Sequence, residues 1–164
     1  LSAPAGWNLL EVNERGGQVT FGVWSKIAGS SEPANYQFTW TGSEQCYGWI
    51  MRFTGHNVAG PIDTSNNSSG ISSSPASVSV STNDPNCIIL RLGGFDDDDI
   101  TVDSPGLSGH TAITMDKSGT GSFSVSGGAG YVIQAARGAS DTSMFSLTAS
   151  EEFVTMTISI KPAL

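Results

Sequence analysis

Gln18-Val19-Thr20-Phe21-Gly22-Val23-Trp24-Ser25-Lys26-Ile27 decides the fold. Val19, Phe21, Val23 and Ile27 fall on one face, and Thr20, Gly22, Trp24 and Lys26 on the other. Successive side chains of a strand point to opposite faces, so a period of two over ten residues predicts a half-buried β-strand.

The same period recurs outward from this stretch. Tyr36, Phe38 and Trp40 alternate, and Tyr47, Trp49, Met51 and Phe53 oppose Ile50 and Arg52. Residues 77–81 read Ser-Val-Ser-Val-Ser, and Cys87-Ile88-Ile89-Leu90-Arg91-Leu92 is the most hydrophobic strand candidate. Short strands are expected at Phe123 and Val125, at Tyr131, Ile133 and Ala135, and at Phe145, Leu147 and Ala149. The last run puts Val154, Met156, Ile158 and Ile160 on one side and Phe153, Thr155, Thr157 and Ser159 on the other. Turn signals separate these runs: Arg15-Gly16-Gly17, Ser30-Ser31-Glu32-Pro33, Asn83-Asp84-Pro85-Asn86, Ser118-Gly119-Thr120-Gly121 and Gly127-Gly128-Ala129-Gly130. Residues 63–75, rich in Ser and Asn, are expected to form a long surface loop. No long segment carries a helical period. The expectation is an all-β, two-sheet antiparallel sandwich, jelly-roll-like, with residues 1–164 as one domain.

Composition narrows the function. The 164 residues carry a net charge of -8, with only seven Lys and Arg. Phosphate binding needs basic residues, so the balance argues against nucleic acid and against anionic membranes. No apolar run reaches the length of a membrane-spanning helix, so no membrane insertion is expected. Charged residues make up 13%, about half the usual share, and Ser, Thr, Gly and Asn replace them. This pattern suits an extracellular or virion protein. The chain begins Leu1-Ser2-Ala3-Pro4 without Met, which reads as a processed protein or an excised piece.

The strongest site signal follows the hydrophobic strand: Gly93-Gly94-Phe95-Asp96-Asp97-Asp98-Asp99-Ile100-Thr101-Val102-Asp103. Four successive carboxylates repel one another, so they face water, a cation or a basic partner. Asp96, Asp98 and Asp103 are candidate oxygen ligands for Ca²⁺, without the glycine and closing glutamate of an EF-hand. The other reading is a solvated acidic cap that keeps a sheet end from pairing. Among the aromatics, Trp24 and Tyr36 are candidate ligand-stacking residues, while Trp40 and Trp49 read as core. Cys46 and Cys87 allow one disulfide or two buried thiols. His56 and His110 read as loop or sheet-end residues, and no Gly-x-Ser-x-Gly or zinc spacing accompanies them. Asn66 and Asn67 both fit the N-glycosylation pattern, which matters only in a eukaryotic source.

Several phrases occur together: Pro4-Ala5-Gly6-Trp7, then Ile27-Ala28-Gly29-Ser30-Ser31-Glu32-Pro33-Ala34-Asn35-Tyr36-Gln37-Phe38-Thr39-Trp40, then Arg52-Phe53-Thr54-Gly55-His56-Asn57, then Pro61-Ile62-Asp63. In this order the chain resembles β-sandwich modules of secreted bacterial proteins and of phage or prophage tail-fibre-like proteins. The resemblance covers nearly the whole chain and implies an extracellular or virion-associated module, with no catalytic residue to carry over. The expected function is therefore a non-enzymatic structural or adhesive module of a virion appendage or extracellular filament, whose partners are other copies or other structural subunits. The alternative is a carbohydrate-binding module that takes cell-surface glycans on exposed aromatics, with Ca²⁺ as an aid.

Overall fold

Two strands organise the protein because both of their faces are covered. In the computed structural model, which describes residues 1–163, these are β6 (Cys87–Asp96) and β11 (Glu151–Ile160). The other strands in chain order are β1 (Asn8–Arg15), β2 (Val19–Ser25), β3 (Ile62–Ser72), β4 (Ala76–Ser77), β5 (Ser81–Thr82), β7 (Thr111–Lys117), β8 (Val125–Gln134), β9 (Gly138–Ala139) and β10 (Ser143–Met144). The main sheet is antiparallel, in the order β3-β11-β6-β8-β7. The fold is all-β, as the alternation predicts.

One face of this sheet is apolar. Leu90, Leu92, Ala129, Val154, Met156, Ile158 and Ile160 pack there against Val19 and Phe21 of the β1-β2 hairpin. The opposite face is mixed. Its end near Asp96 holds Phe95, Met115, Phe145 and Phe153. Its middle holds Arg91, Thr155 and Thr157, all buried under the segments carrying β4 and β10. Ser77 Oγ lies 2.7 Å from Thr157 Oγ1, and Thr155 Oγ1 donates to the carbonyl of Ala76 at 2.7 Å. A fully buried Val, Ile, Leu or Met contributes about 1.5–3 kcal/mol, against a net of about 1 kcal/mol for each neutral hydrogen bond. The hairpin face therefore dominates stability, and the hydroxyl face fixes which segments dock on it. The expected sandwich is accordingly unequal: a five-stranded sheet faces a hairpin on one side and short ribbons on the other.

Glycines in the sheet interior permit this packing. Gly94 and Gly127 are paired neighbours' positions on the apolar face. A Cβ on Gly94 would lie 2.8 Å from the Phe21 ring, and one on Gly127 would lie 2.5 Å from the Trp49 ring. Gly127-Gly128-Ala129-Gly130 is thus the middle of β8, where the sequence suggested a turn. The separate strands expected at Phe123 to Val125 and at Tyr131 to Ala135 are replaced by this single ladder.

Three other expectations change. Residues 63–75, expected as a loop, instead contain most of β3, which pairs with β11 along its length. The stretch is polar because it forms a sheet edge, and its strand character comes from its partner. Tyr36, Phe38 and Trp40 form no ladder beyond the isolated Ser2–Thr39 bridge. Tyr47, Trp49, Met51 and Phe53 are half-buried and alternate with exposed neighbours, yet this segment belongs to no strand. Its period comes from packing across the sheet face: Tyr47 Oη reaches Thr114 Oγ1 at 2.8 Å, and the Trp49 ring lies against Phe21.

Candidate functional site

Antiparallel pairing brings two acidic stretches together. Phe95 in β6 is opposite Phe153 in β11, so the chain leaving β6 runs beside the chain entering β11. Asp96 and Asp97 therefore meet Glu151, and one carboxylate oxygen from each lies within 4.8 Å of the others. Two oxygens on opposite sides of a Ca²⁺ ion, each about 2.4 Å from it, would have that separation.

The remaining carboxylates have other partners. Asp98 forms an ion pair with Lys117 at 2.9 Å, which holds its carboxyl below the usual range. Asp99 Oδ1 accepts from Thr148 Oγ1 at 3.1 Å, and its backbone carbonyl accepts from the Thr148 amide at 2.8 Å. Asp103 lies farther along, exposed, with a left-handed φ of 63° and its amide donating to the Met115 carbonyl. Of the three sequence-based candidates, only Asp96 belongs to the cluster. Asp98 is committed to Lys117, and Asp103 is outside it. Asp97 and Glu151 take their places.

The cluster holds more negative charge than its surroundings favour. Burial raises the Glu151 pKa to about 7, reinforced by a hydrogen bond with Asp99 and by the charges of Asp99, Asp97 and Asp96. Burial and the neighbouring aspartates also raise Asp97, whose Oδ1 is shielded from water without a hydrogen-bond partner. Asp97 adopts a left-handed φ of 55°, a conformation aspartate tolerates better than most residues. Such a group of oxygens can share a proton or accept a cation. Glu151 could have been found from sequence only by pairing the hydrophobic strand with the terminal one.

The aromatic candidates lie elsewhere. Trp24 is on the outer face of the hairpin, as its parity predicts, with Phe38 at 5.3 Å between ring centroids. Tyr36 meets the edge of Trp7 at 5.0 Å and hydrogen-bonds with Glu32 and Lys26. Both candidates are thus engaged by neighbouring side chains. Trp49 packs against the sheet, whereas Trp40, expected in the core, is 42% exposed.

The disulfide expectation is corrected: Cys46 and Cys87 are free thiols. Cys87 is buried with Ile89 on the mixed face, and its thiol donates to the Asp84 carbonyl. Cys46 is exposed and precedes Tyr47, whose ring lies over Gly127 on the apolar face. The main sheet separates them. His56 bridges to Pro162 at the sheet end opposite the acidic cluster, and His110 touches Arg91.

The chain matches no family model, no curated protein and no solved structure. The residues and their geometry carry the functional argument.

Proposed function

We propose that the protein is a non-enzymatic structural or adhesive module of a virion appendage or extracellular filament, and that it assembles by adding a strand to β3. The observation carrying this reading is the unguarded edge of the main sheet. β3 is eleven residues long, about 36 Å of strand, and among the described residues it pairs with β11 alone. Soluble monomers usually protect such an edge with lysine, proline, bulges or a short strand. The opposite edge, β7, has these features: seven residues, a register shift between Ala112 and Thr114, and a charged end at Asp116 and Lys117. β3 has its own register shift only at its start, between Ile62 and Thr64, and beyond it carries mostly serine and asparagine, with neither lysine nor proline. Its Asn66 and Asn67 amides point aside, to the Ser79 carbonyl and to Glu11, leaving the main chain at the edge. Main-chain pairing with another copy fits this surface. The virion or extracellular setting is taken from the composition and from the resemblance to tail-fibre-like modules.

Sedimentation over a concentration series tests the reading. The protein should assemble as concentration rises, and Ser65→Lys with Ser69→Lys should keep it monomeric without lowering its melting temperature by more than a few degrees. A wild-type protein that stays monomeric at high concentration would remove the proposal.

A divalent cation, with Ca²⁺ the best fit by ligand type, is proposed at Asp96, Asp97 and Glu151, because their oxygens gather within the span of one ion. Binding would raise the melting temperature relative to EDTA, and Asp97→Asn would abolish the rise. Equal melting temperatures with Ca²⁺ and EDTA would return the cluster to a solvated cap.

A further inference from the structure

Arg91 is only 1% exposed and sits in the middle of the mixed face. Its Nη1 donates to the Ser77 carbonyl at 2.6 Å, and its Nη2 donates to the carbonyls of Ser140 at 3.0 Å and Asp141 at 2.8 Å. Its Nε donates to Nε2 of His110 at 2.8 Å. A guanidinium has donors and no acceptor, and it stays protonated in proteins. His110 Nε2 must therefore accept, which it can do only without a proton. The other ring nitrogen, Nδ1, lies 2.9 Å from the Ser108 carbonyl, which can only accept. Two partners of fixed character thus select one neutral tautomer, with the proton on Nδ1.

A second proton has no place in this arrangement. At Nε2 it would point at the Nε–H of a buried cation. The one charged group that bears on the ring, Arg91, favours its neutral form. β6 contributes Arg91, and Asp141 acts on Arg91 from the segment after β9. β8 presents Gly130, whose ideal Cβ would lie 3.7 Å from the His110 Cβ, and β7 opens with the uncharged Thr111 and Ala112. The preceding residues, Ser104-Pro105-Gly106-Leu107-Ser108-Gly109, are also uncharged. Among the described residues, no carboxylate is hydrogen-bonded to the ring.

We propose that His110 is an acid-released latch: protonation at Nε2 expels the ring from Arg91 and opens the loop that precedes β7. The ring is partly exposed, so it can turn into water, whereas Arg91 is held by three carbonyls. Leu107 remains buried beside Phe95, Met115 and Phe145, so opening is confined to the Ser108 to His110 end of the loop. The proton linkage has a definite sign. Burial, the largest effect, and the Arg91 charge lower the His110 pKa below its usual 6.5, against the hydrogen bond to the Ser108 carbonyl, which raises it. The unfolded chain consequently binds this proton more readily than the folded one. The latch contributes its full stability above the ordinary histidine value and loses it as pH falls from there through the folded value.

Ring-nitrogen NMR and amide exchange test the latch on the intact protein. At pH 7.5 Nδ1 should carry the proton and Nε2 should not, and the ring should bind protons more weakly than an exposed histidine. On acidification the His110 amide, which donates to the Leu107 carbonyl at 3.2 Å, should lose about tenfold of its protection, read as its exchange rate relative to the intrinsic rate at each pH. His110→Gln retains an oxygen that accepts from Arg91 at any pH, so its amide at position 110 should show no such loss of protection. Protonated Nε2 at pH 7.5, a titration at or above that of an exposed histidine, or an equal loss of protection on acidification in both proteins would overturn the proposal. The wild-type ring measurements decide it even if the variant does not fold.

Discussion

Replacing Arg91 with methionine removes the guanidinium while keeping most of the side-chain volume, so the change acts through polar contacts. Three carbonyls, one imidazole nitrogen and, at 3.4 Å, the Thr157 hydroxyl lose a charged donor. Ser140 is half-buried, and Asp141 and the edge of His110 reach solvent, so water replaces much of what they lose. The Ser77 carbonyl belongs to a residue with no exposed surface, and leaving it unpaired costs about 1–3 kcal/mol. Each lost charged hydrogen bond elsewhere adds about 1 kcal/mol after water replacement, and relief of the buried guanidinium's desolvation offsets part of the sum. The net expectation for Arg91→Met is about 2–4 kcal/mol of destabilisation, or a fall of about 4–16 °C in melting temperature for a chain of this size. Urea denaturation at pH 7.5, followed by tryptophan fluorescence, measures it. Stability equal to or above wild type would refute the reasoning, because guanidinium desolvation would then outweigh the five contacts.

Glu151→Gln should change stability in a pH-dependent way when measured in EDTA. The folded-state pKa near 7 lies above the ordinary 4.5, so protonated Glu151 stabilises the fold below 4.5 and that contribution is lost as pH rises through 7. The variant should melt higher than wild type at pH 8, by about 1–2 kcal/mol after allowing for solvent screening, and equally at pH 4; a lower melting point at pH 8 would contradict this. For the thiols, a disulfide-exchange reagent should label Cys46 rapidly in the native protein and Cys87 only after denaturation. Two unreactive sulfurs that become reactive only after reduction would reinstate the bridge.

The parts of the fold visible in the sequence are those where one strand's own residues state its environment. The faces of β2 and β11 follow directly from Val19, Phe21 and Val23 and from the Val154 to Ile160 alternation, because both pack on the apolar face. β3 was hidden because its polar residues describe an edge, and the strand exists through pairing with β11. β1 was hidden because the register shift between Leu9 and Glu11 breaks its period. The glycines of β8 resemble a turn when the rings of Trp49 and Phe145, which occupy their missing side-chain space, are unknown. At the site, the acidic run is legible as concentrated charge, but Glu151 joins it only through the β6–β11 register. The Arg91–His110 contact joins β6 to the loop before β7, and nothing in either residue's local sequence announces it.

Residue-resolved amide exchange along β3 tests the proposed assembly most directly. An edge strand turns alternate N–H groups toward its partner and the rest toward solvent. In dilute solution, β3 amides should alternate between slow and fast exchange, the slow set being those bonded to β11. At concentrations where assembly occurs, the fast set should become protected while β7 is unchanged. Assembly that leaves the fast set unprotected, or protection that appears on β7 instead, would contradict an account in which β3 receives the next strand.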